Sequence, residues 1–484
     1  MAESEQRAIA YLRTPAAIRK QCDRLFSLTC AEELPHFRCH LTKLEQVAEY
    51  VIQVMREQYP DLNIPFHSRW RHFEVGNLPR LDLLEEKLAG LTPREKARTK
   101  YDLAMVSVLL DAGAGAAWKY YEQETGQVFS RSEGLAVASF RMFCQGAFSS
   151  DSEHPLQADA QGLQSLTVAK LAQGFQVSQG NPLVGIEGRW QLLQRLGESL
   201  QTFPHLFGTE NPRPGNLVNY LLDGSVGRWG DTETRRRGDA EMGRWGDKED
   251  KEDKGDIDNS QTTNNQQPTT NNQQPTTNDK QQTTNNQQQT TNNQQPTTNN
   301  KQLSASKVLT AILEGLGNIW PGRVAIAGVN LGDVWFHPAL EGEHLGEQYV
   351  PFHKLSQWLT YSLLEPLQEL GCEITGLDEL TGLPEYRNGG LCLDLGLLEV
   401  KDTAILHQPH LPGSEVIVEW RALTVCLLDR IADVIRQQLN LSTVELPLVK
   451  ILQGGTWSTG RRIAAQLRAG GVPPIQIESD GTVF

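Results

Sequence analysis

Long apolar runs are absent from this chain of 484 residues. Because no stretch of eighteen apolar residues occurs, the sequence predicts no membrane-spanning helix. The opening stretch, MAESEQRAIAYLRTPAAIRK, also lacks the basic-then-apolar order of a secretory signal peptide. The 38% of apolar residues is nevertheless enough for one large core or two ordinary domains. We therefore expect a cytoplasmic globular protein that has no membrane partner.

Paired cysteines and clusters of positive charge are also missing. The seven cysteines are scattered and form no CxxC pair, which favours a reducing compartment over a disulfide framework. The formal net charge is -14, and no basic stripe runs along the chain. A general nucleic-acid-binding protein would carry such a stripe. The sequence therefore predicts no nucleic-acid partner.

Composition divides the chain into three segments. Residues 1–223 carry amphipathic helical patterns, and residues 305–484 mix helical and strand-like patterns. In residues 224–304 a seven-residue unit close to TTNNQQP repeats, and it offers no apolar position for a coiled coil. Such Thr/Asn/Gln tracts bury too little apolar surface to offset the entropy of ordering, so we predict a disordered insert. The flanking segments are predicted to pack into one functional unit, because a folded protein tolerates a long insert.

Helical periodicity dominates the two flanking segments. Thr14 and Pro15 form a helix start signal, and the apolar residues that follow, Ile18 and Cys22 among them, recur on one helical face. Strand-like alternation is confined to residues 324–400, where Arg387 to Gly390 indicate a tight turn followed by a strand. The predicted fold class is mainly α with a small β element (α+β).

The most unusual polar stretch is IPFHSRWRHFEVG, residues 64–76. It places His67, Arg69, Arg71 and His72 around Trp70. Two imidazoles and two guanidiniums need hydrogen-bond partners or water, so this stretch is not plain core. Guanidiniums fork onto carboxylates and phosphates and stack on aromatic rings. Two interpretations remain open: a site for a phosphorylated or sugar-bearing small molecule, or an Arg/aromatic cluster that braces an interface.

A second unusual stretch is MVSVLLDAGAGAAWKYYE, residues 105–122. An apolar run ends at Asp111, and Gly113 and Gly115 then alternate with alanines. Small residues permit close approach by another helix or by a ligand. Asp111 is therefore either the N-cap of a following helix or a carboxylate held near a ligand. The run is a weak phosphate-binding signal because it contains no GxGxxG.

Several long motifs together resemble one known family. They are LRTPAAIRKQCDRLF, IPFHSRWRHFEVG, VPFHKLSQWLTYSLLEPLQ, LTGLPEYRNGG, IVEWRALTVCLLDR, GGTWSTGRR and the terminal SDGTVF. In this order they resemble the uracil-catabolism protein four family of fungi and bacteria, long filed as a domain of unknown function. The resemblance implies a place in pyrimidine breakdown, where uracil is carried as a ribosyl derivative, its ring is opened and a ribosylurea-like compound is broken down. The low-complexity insert departs from the family pattern.

Our first hypothesis is a metal-independent, cofactor-free hydrolase that cleaves an N-ribosidic or related C–N bond of a ribosylurea-like compound or its phosphate. Such a bond breaks with positive charge on the ribose, which a carboxylate stabilises while an acid protonates the leaving nitrogen. Asp111 is the candidate stabilising carboxylate, and Asp333 or Asp480 is the candidate second one. The candidate substrate-binding residues are His67, Arg69, Arg71, His353 and Arg387.

Two other hypotheses remain open. A metal-dependent amidohydrolase would need clustered ligands, but His67 and His72 are five residues apart rather than spaced as in HExxH. We therefore predict no metal site. A non-catalytic binding or assembly protein of the same pathway is the other alternative. Acyl transfer and ATP use have no support, because the sequence contains neither a GxSxG elbow nor a P-loop.

Overall fold

The computed structural model describes residues 1–224, 301–320 and 324–478. Its helices span Glu3–Leu12, Pro15–Cys30, Leu44–Gln58, Trp70–Phe73, Arg80–Lys87, Pro93–Leu109, Arg131–Cys144, Ala160–Ser165, Val168–Gly174, Ile186–Thr202, Pro204–Phe207, Leu217–Asp223, Ala305–Leu316, Lys354–Glu369, Tyr386–Asp394, Glu415–Leu439, Leu448–Ile451 and Trp457–Leu467. Most of the predicted insert, residues 225–300, lies outside the described residues. The prediction that it is disordered therefore concerns residues that the structure does not describe.

The strands are short and pair only two at a time. They span Phe37–Cys39, Lys119–Glu122, Gln127–Ser130, Gln302–Ser304, Ala325–Ile326, Val329–Asn330, Val334–Phe336, Tyr349–Pro351, Glu373–Thr375, Leu398–Val400, Pro409–His410 and Gln476–Ile477. Two pairings join residues that lie far apart in the chain. Phe37–Cys39 runs antiparallel to Leu398–Val400, and Gln302–Ser304 runs parallel to Glu373–Thr375. The predicted fold class, mainly α with a small β element, is confirmed, although some strands lie outside residues 324–400.

The helix Pro15–Cys30 begins where the sequence predicts. The Thr14 hydroxyl accepts a hydrogen bond from the Ala17 backbone N–H at 3.1 Å, and Pro15 occupies the first turn, where no donor is needed. Ile18 and Cys22 are fully buried on its inner face. Local capping and the apolar stripe therefore agree, which is why this element is predictable from the sequence.

The two segments that flank the insert share one hydrophobic core and belong to one compact unit. The helix Pro93–Leu109 is buried along most of its length and packs against Lys354–Glu369 from the other segment. The helix Glu415–Leu439 packs against both Pro15–Cys30 and Leu44–Gln58. This shared core brings the unusual stretches of the N-terminal segment against residues of the C-terminal one.

The predicted turn at Arg387–Gly390 and the strand after it are wrong, because the helix Tyr386–Asp394 spans this stretch. The Glu385 side chain caps the helix by accepting two backbone N–H bonds, at 2.7 and 2.8 Å. Gly389 lies against the ring of Trp420, where a Cβ would come within 2.8 Å. The glycines therefore allow close packing rather than a turn, and the alternating apolar pattern alone did not distinguish the two.

Candidate functional site

A cavity of about 320 Å³ lies where the two flanking segments meet. Its volume is at the small end of the range for ligand pockets. A larger hollow of about 1590 Å³ runs along the helix Pro15–Cys30, but it is lined by none of the predicted site residues that the structure describes. We therefore place the candidate site in the smaller cavity. Its polar and aromatic lining consists of His67, His72, Asp111, Arg131, Ser132, Glu133, Lys354, Trp358, Glu385, Tyr386, Arg387, Trp457 and Arg461.

The orientation of the Asp111 carboxylate is fixed by hydrogen bonds to one of its two oxygens. Its Oδ2 accepts hydrogen bonds from Arg69 Nη1 at 2.8 Å and from the Ser132 hydroxyl at 2.5 Å. Arg69 is fully buried and also donates from Nε to Ser107 at 2.7 Å. Burial lowers the Arg69 pKa and the Asp111 charge opposes that effect. Among the described residues nothing donates to Asp111 Oδ1, so this oxygen is available at the cavity wall.

The loop that carries Asp111 is held by a buried arginine. The helix Pro93–Leu109 has just ended, and the next element is the strand Lys119–Glu122, so Asp111 is not the N-cap of a helix. Arg189 is fully buried and donates to the carbonyl oxygens of Leu110 at 3.0 Å and Ala112 at 2.7 Å. These two carbonyls flank Asp111 on either side. The guanidinium therefore fixes the backbone at the point where the carboxylate leaves it.

Two buried histidines form the aromatic side of the cavity. Burial lowers the pKa of both His67 and His72 to about 4, so both imidazoles are neutral at pH 7. His67 Nδ1 lies 2.9 Å from Gln453 Oε1, an acceptor, and therefore carries the proton. The Nε2 atom of His67 is left as an acceptor, suited to a hydroxyl group. The rings of Trp358 and Trp457 lie within 6.5 Å of both imidazoles.

Acid is expected to destabilise the protein through His67 and His72. Each has a pKa of about 4 in the folded state and 6.5 as the ordinary value. The unfolded chain therefore binds more protons between these pH values, so the free energy of unfolding falls as the pH drops, by up to roughly 3 kcal/mol per histidine. Urea unfolding of the wild type and His72→Phe at pH 7 and pH 5 measures this. The variant should lose less stability; equal losses would contradict the assignment.

Two further carboxylates line the cavity in different electrostatic settings. Glu133 pairs with Arg461, and although burial raises the pKa of Glu133, the charge of Arg461 brings it below its ordinary value. Glu385 caps the helix Tyr386–Asp394, and its burial raises the pKa of this carboxyl group. Lys354 also lines the cavity, and burial lowers its pKa. One carboxylate is thus suited to stay charged and another to carry a proton.

The comparison with known proteins identifies the family. The family model described as protein of unknown function (DUF1688) matches residues 11–236 and 267–484. The chain belongs to this family. Uracil catabolism protein 4 of Lachancea kluyveri is 34% identical over 506 residues, which cover 98% of this chain and 99% of that protein. Protein urg3 of Schizosaccharomyces pombe is 35% identical over 483 residues, with the same two coverages. The resemblance to the uracil-catabolism protein four family is confirmed.

In this DUF1688 protein the cavity brings together three of the predicted site residues. His67, Asp111 and Arg387 line it directly. Arg69 does not line the cavity but contacts three residues that do: it donates to Asp111 and Ser132, and its guanidinium lies 5.5 Å from the centre of the Trp358 ring. The two stretches that stood out in the sequence therefore meet. The short helix Trp70–Phe73 and the helix Pro93–Leu109 both pack against the helix Arg131–Cys144, and Arg69 donates to Ser107 and Asp111.

The second predicted carboxylate is not among the lining residues. The structure places Asp333 outside the cavity, where Arg421 donates to both of its oxygens at 2.7 and 2.8 Å. Asp333 also accepts from the Lys354 backbone N–H at 3.1 Å, at the start of the helix Lys354–Glu369. Its oxygens therefore serve an ion pair and a helix end. Asp480 lies outside the described residues.

Two predicted substrate-binding residues also lie outside the cavity lining. Arg71 Nη2 donates to Glu365 at 3.0 Å. His353 adopts a left-handed backbone conformation (φ 46°), and its Nε2 lies 2.8 Å from the Leu12 carbonyl oxygen. Burial lowers the pKa of His353, which fits a neutral imidazole that donates to a carbonyl. Both contacts join distant parts of the chain, as the bracing interpretation of such residues predicts.

Sequence reasoning missed several lining residues, and Trp457 shows why. It follows a π-helical turn, Leu452–Thr456, that places Gln453 against His67 and Trp457 on the cavity wall. Such turns occur often at functional sites. Gly455 within the turn lies against Val51, where a Cβ would come within 2.7 Å. The paired glycines before a tryptophan were a signal, but nothing in the sequence shows which way the tryptophan points.

The described residues contain neither a candidate metal site nor a candidate membrane-spanning helix. Within residues 1–224, 301–320 and 324–478, no group of three or more His, Cys, Asp or Glu side chains is placed to hold a metal ion. In the same part of the chain, no helix has the length and apolar character needed to cross a bilayer.

Proposed function

We propose that this protein acts in uracil catabolism as a hydrolase that cleaves the N-ribosidic bond, or a closely related C–N bond, of a ribosylurea-like intermediate. The pathway is supported by the name of the Lachancea kluyveri relative, uracil catabolism protein 4, with which the chain aligns over 98% of its length. The reaction is supported by one observation above all: one oxygen of Asp111 accepts hydrogen bonds from Arg69 and Ser132, and the other is left at the wall of the cavity.

Asp111 would stabilise the positive charge that develops on the ribose. Breaking a C–N bond to the anomeric carbon leaves the electron pair on nitrogen and an oxocarbenium-like sugar. A fixed carboxylate oxygen beside that carbon lowers the barrier and orients the attacking water, whose proton it accepts. Water oxygen bonds to the anomeric carbon and the C–N bond breaks, so the products are a free sugar and a urea. The neutral His67 Nε2 would accept a hydrogen bond from a ribose hydroxyl.

Glu385 is our candidate for the acid that protonates the leaving nitrogen. Burial raises the pKa of its carboxyl group, so this group holds a proton more readily than an exposed glutamate does. Glu133 is less suited, because its pairing with Arg461 holds it charged. We expect Glu385→Gln to lower kcat on the order of 10²-fold for poor leaving groups such as urea. The loss should be smaller for a ribosyl compound whose leaving group needs no proton. Equal losses for both leaving groups would remove Glu385 from this role.

Turnover by the purified full-length protein tests the proposal. The protein is incubated with ribosylurea and with its 5-phosphate, and free urea and free sugar are measured. The proposal predicts both products in equal amounts, at a rate that chelators leave unchanged. Urea without sugar, or neither product from either compound, would contradict it. Binding of these compounds without turnover would favour a non-catalytic role in the same pathway.

A further inference from the structure

Arg387 carries a buried charge that has no anionic partner among the residues that the structure describes. It is 6% exposed and lines the cavity. Its Nη1 donates to the carbonyl oxygen of Gly471 at 2.6 Å, and its guanidinium lies 5.0 Å from the centre of the Tyr386 ring. Among the described residues it forms no ion pair; the adjacent Glu385 directs its oxygens to backbone N–H groups instead. A buried charge is expensive unless it is paired, so this guanidinium is suited to an anionic ligand.

Arg131 brings a second guanidinium to the same wall. Its Nη2 donates to the carbonyl oxygen of Gly470 at 2.6 Å, next along the chain from the carbonyl that Arg387 holds. Within the described part of the chain it too forms no ion pair with a carboxylate. Its backbone is in the left-handed region (φ 55°), a strained conformation for a non-glycine residue and one that clusters at ligand sites. Two arginines from different segments thus converge on one short turn.

The helix that begins at Arg131 is a third feature that favours the binding of an anion. Arg131–Cys144 starts at the cavity, and its first three residues line it. The N-terminus of a helix carries unsatisfied N–H groups and a partial positive charge, both of which favour anions. The next residue, Ser132, donates to Asp111, so the two arginines and the carboxylate lie along one continuous wall.

We propose that Arg131 and Arg387 bind a phosphate monoester at C5 of the ribose, and that the substrate is the 5-phosphate of the ribosylurea-like compound. Guanidinium groups bind phosphate oxygens in a bidentate manner. The two positive charges of Arg131 and Arg387 match the double negative charge of a phosphate monoester. In a ribofuranose the C5 substituent and the anomeric carbon lie at opposite sides of the ring oxygen. A phosphate held by the arginines would therefore leave the anomeric carbon free to approach Asp111. The nature of the sugar rests on the proposed function; the anion site does not.

Calorimetric titration of the full-length protein with ribose, ribose 5-phosphate and inorganic phosphate tests the site. We expect ribose 5-phosphate to bind at least about tenfold more tightly than ribose, and inorganic phosphate to compete with it. Arg387→Gln and Arg131→Gln should each reduce that preference about tenfold, and Arg387→Lys should restore part of it. Arg94→Gln, which removes an exposed arginine paired with Asp223, is the matched control and should keep the preference.

The comparison of ribose with ribose 5-phosphate in the wild-type protein tests the anion site even if a variant fails to fold. Equal binding of ribose and ribose 5-phosphate, or a preference that survives both glutamine substitutions, would overturn the proposal. Failure of the proposed function is a separate result. If the protein prefers ribose 5-phosphate but releases no urea, the anion site stands and the reaction is wrong. If it hydrolyses ribosylurea without any preference for the phosphate, the reaction stands and the anion site is wrong.

Discussion

Asp111→Asn is expected to lower kcat for urea release on the order of 10³-fold. The amide keeps the size of the side chain, and its oxygen can still accept from Arg69 and Ser132. The substitution removes the negative charge that the proposed mechanism places beside the anomeric carbon. Because Arg69 is fully buried and loses its counter-charge, we also expect the free energy of unfolding to fall by about 3 kcal/mol. Steady-state kinetics and urea unfolding measure the two effects separately.

The control for Asp111→Asn must remove a similar charge away from the cavity. Asp394→Asn does so, because the Asp394 side chain is 5% exposed, pairs with Arg468 and does not line the cavity. It should lower stability while changing kcat less than about threefold. Full activity in Asp111→Asn would exclude this carboxylate from the chemistry. Equal loss of activity in both variants would mean that lost stability alone explains the effect.

Replacement of Arg189 by methionine is expected to have the second-largest effect. The guanidinium is fully buried and its contacts are to backbone carbonyls on both sides of Asp111 and to Val184. Buried carbonyls left without a donor cost roughly 1–3 kcal/mol each before relaxation, so we expect a loss of about 3 kcal/mol in the free energy of unfolding. Misplacement of the carboxylate by about 1 Å costs on the order of 10²-fold in rate, so kcat should fall by that factor.

A double variant separates positioning from general destabilisation. If Arg189 acts only by holding the loop of Asp111, then Arg189→Met should add no further loss of kcat in an Asp111→Asn background. Its effect on the free energy of unfolding should persist in that background. Arg189→Lys keeps the positive charge but not the planar guanidinium with its several donors. Its kcat should lie between those of the wild type and Arg189→Met. Losses of kcat that multiply in the double variant would contradict a role through Asp111.

The sequence predicted which residues belong to the site better than it predicted their arrangement. His67, Arg69 and Asp111 stood out because their residue types are costly to bury without partners, and the structure brings them together. Asp333 was predicted as a candidate second carboxylate, yet its partner is Arg421, and a single sequence gives no means of predicting that pairing. A polar residue in an apolar context indicates that a partner exists. It does not indicate whether that partner is a protein group or a ligand.

The fold was predictable where local and tertiary signals agree. The helix Pro15–Cys30 has a cap and one apolar stripe, and both point to the same element. The helix Tyr386–Asp394 was missed because its two glycines and alternating leucines imitate a turn and a strand. Its glycines are explained only by close contacts, such as that between Gly389 and Trp420. Such contacts depend on packing between distant segments, which periodicity along one segment does not contain.

The most direct test of the central claim follows the fate of a labelled carbonyl. Ribosylurea and its 5-phosphate, each carrying ¹³C in the urea carbonyl, are mixed with the full-length protein and observed by ¹³C NMR. Cleavage at the anomeric carbon predicts that the signal moves to free urea, and that Asp111→Asn abolishes this change. A signal that moves to bicarbonate would instead indicate amide hydrolysis, and an unchanged signal would exclude these compounds as substrates; either result would contradict the account.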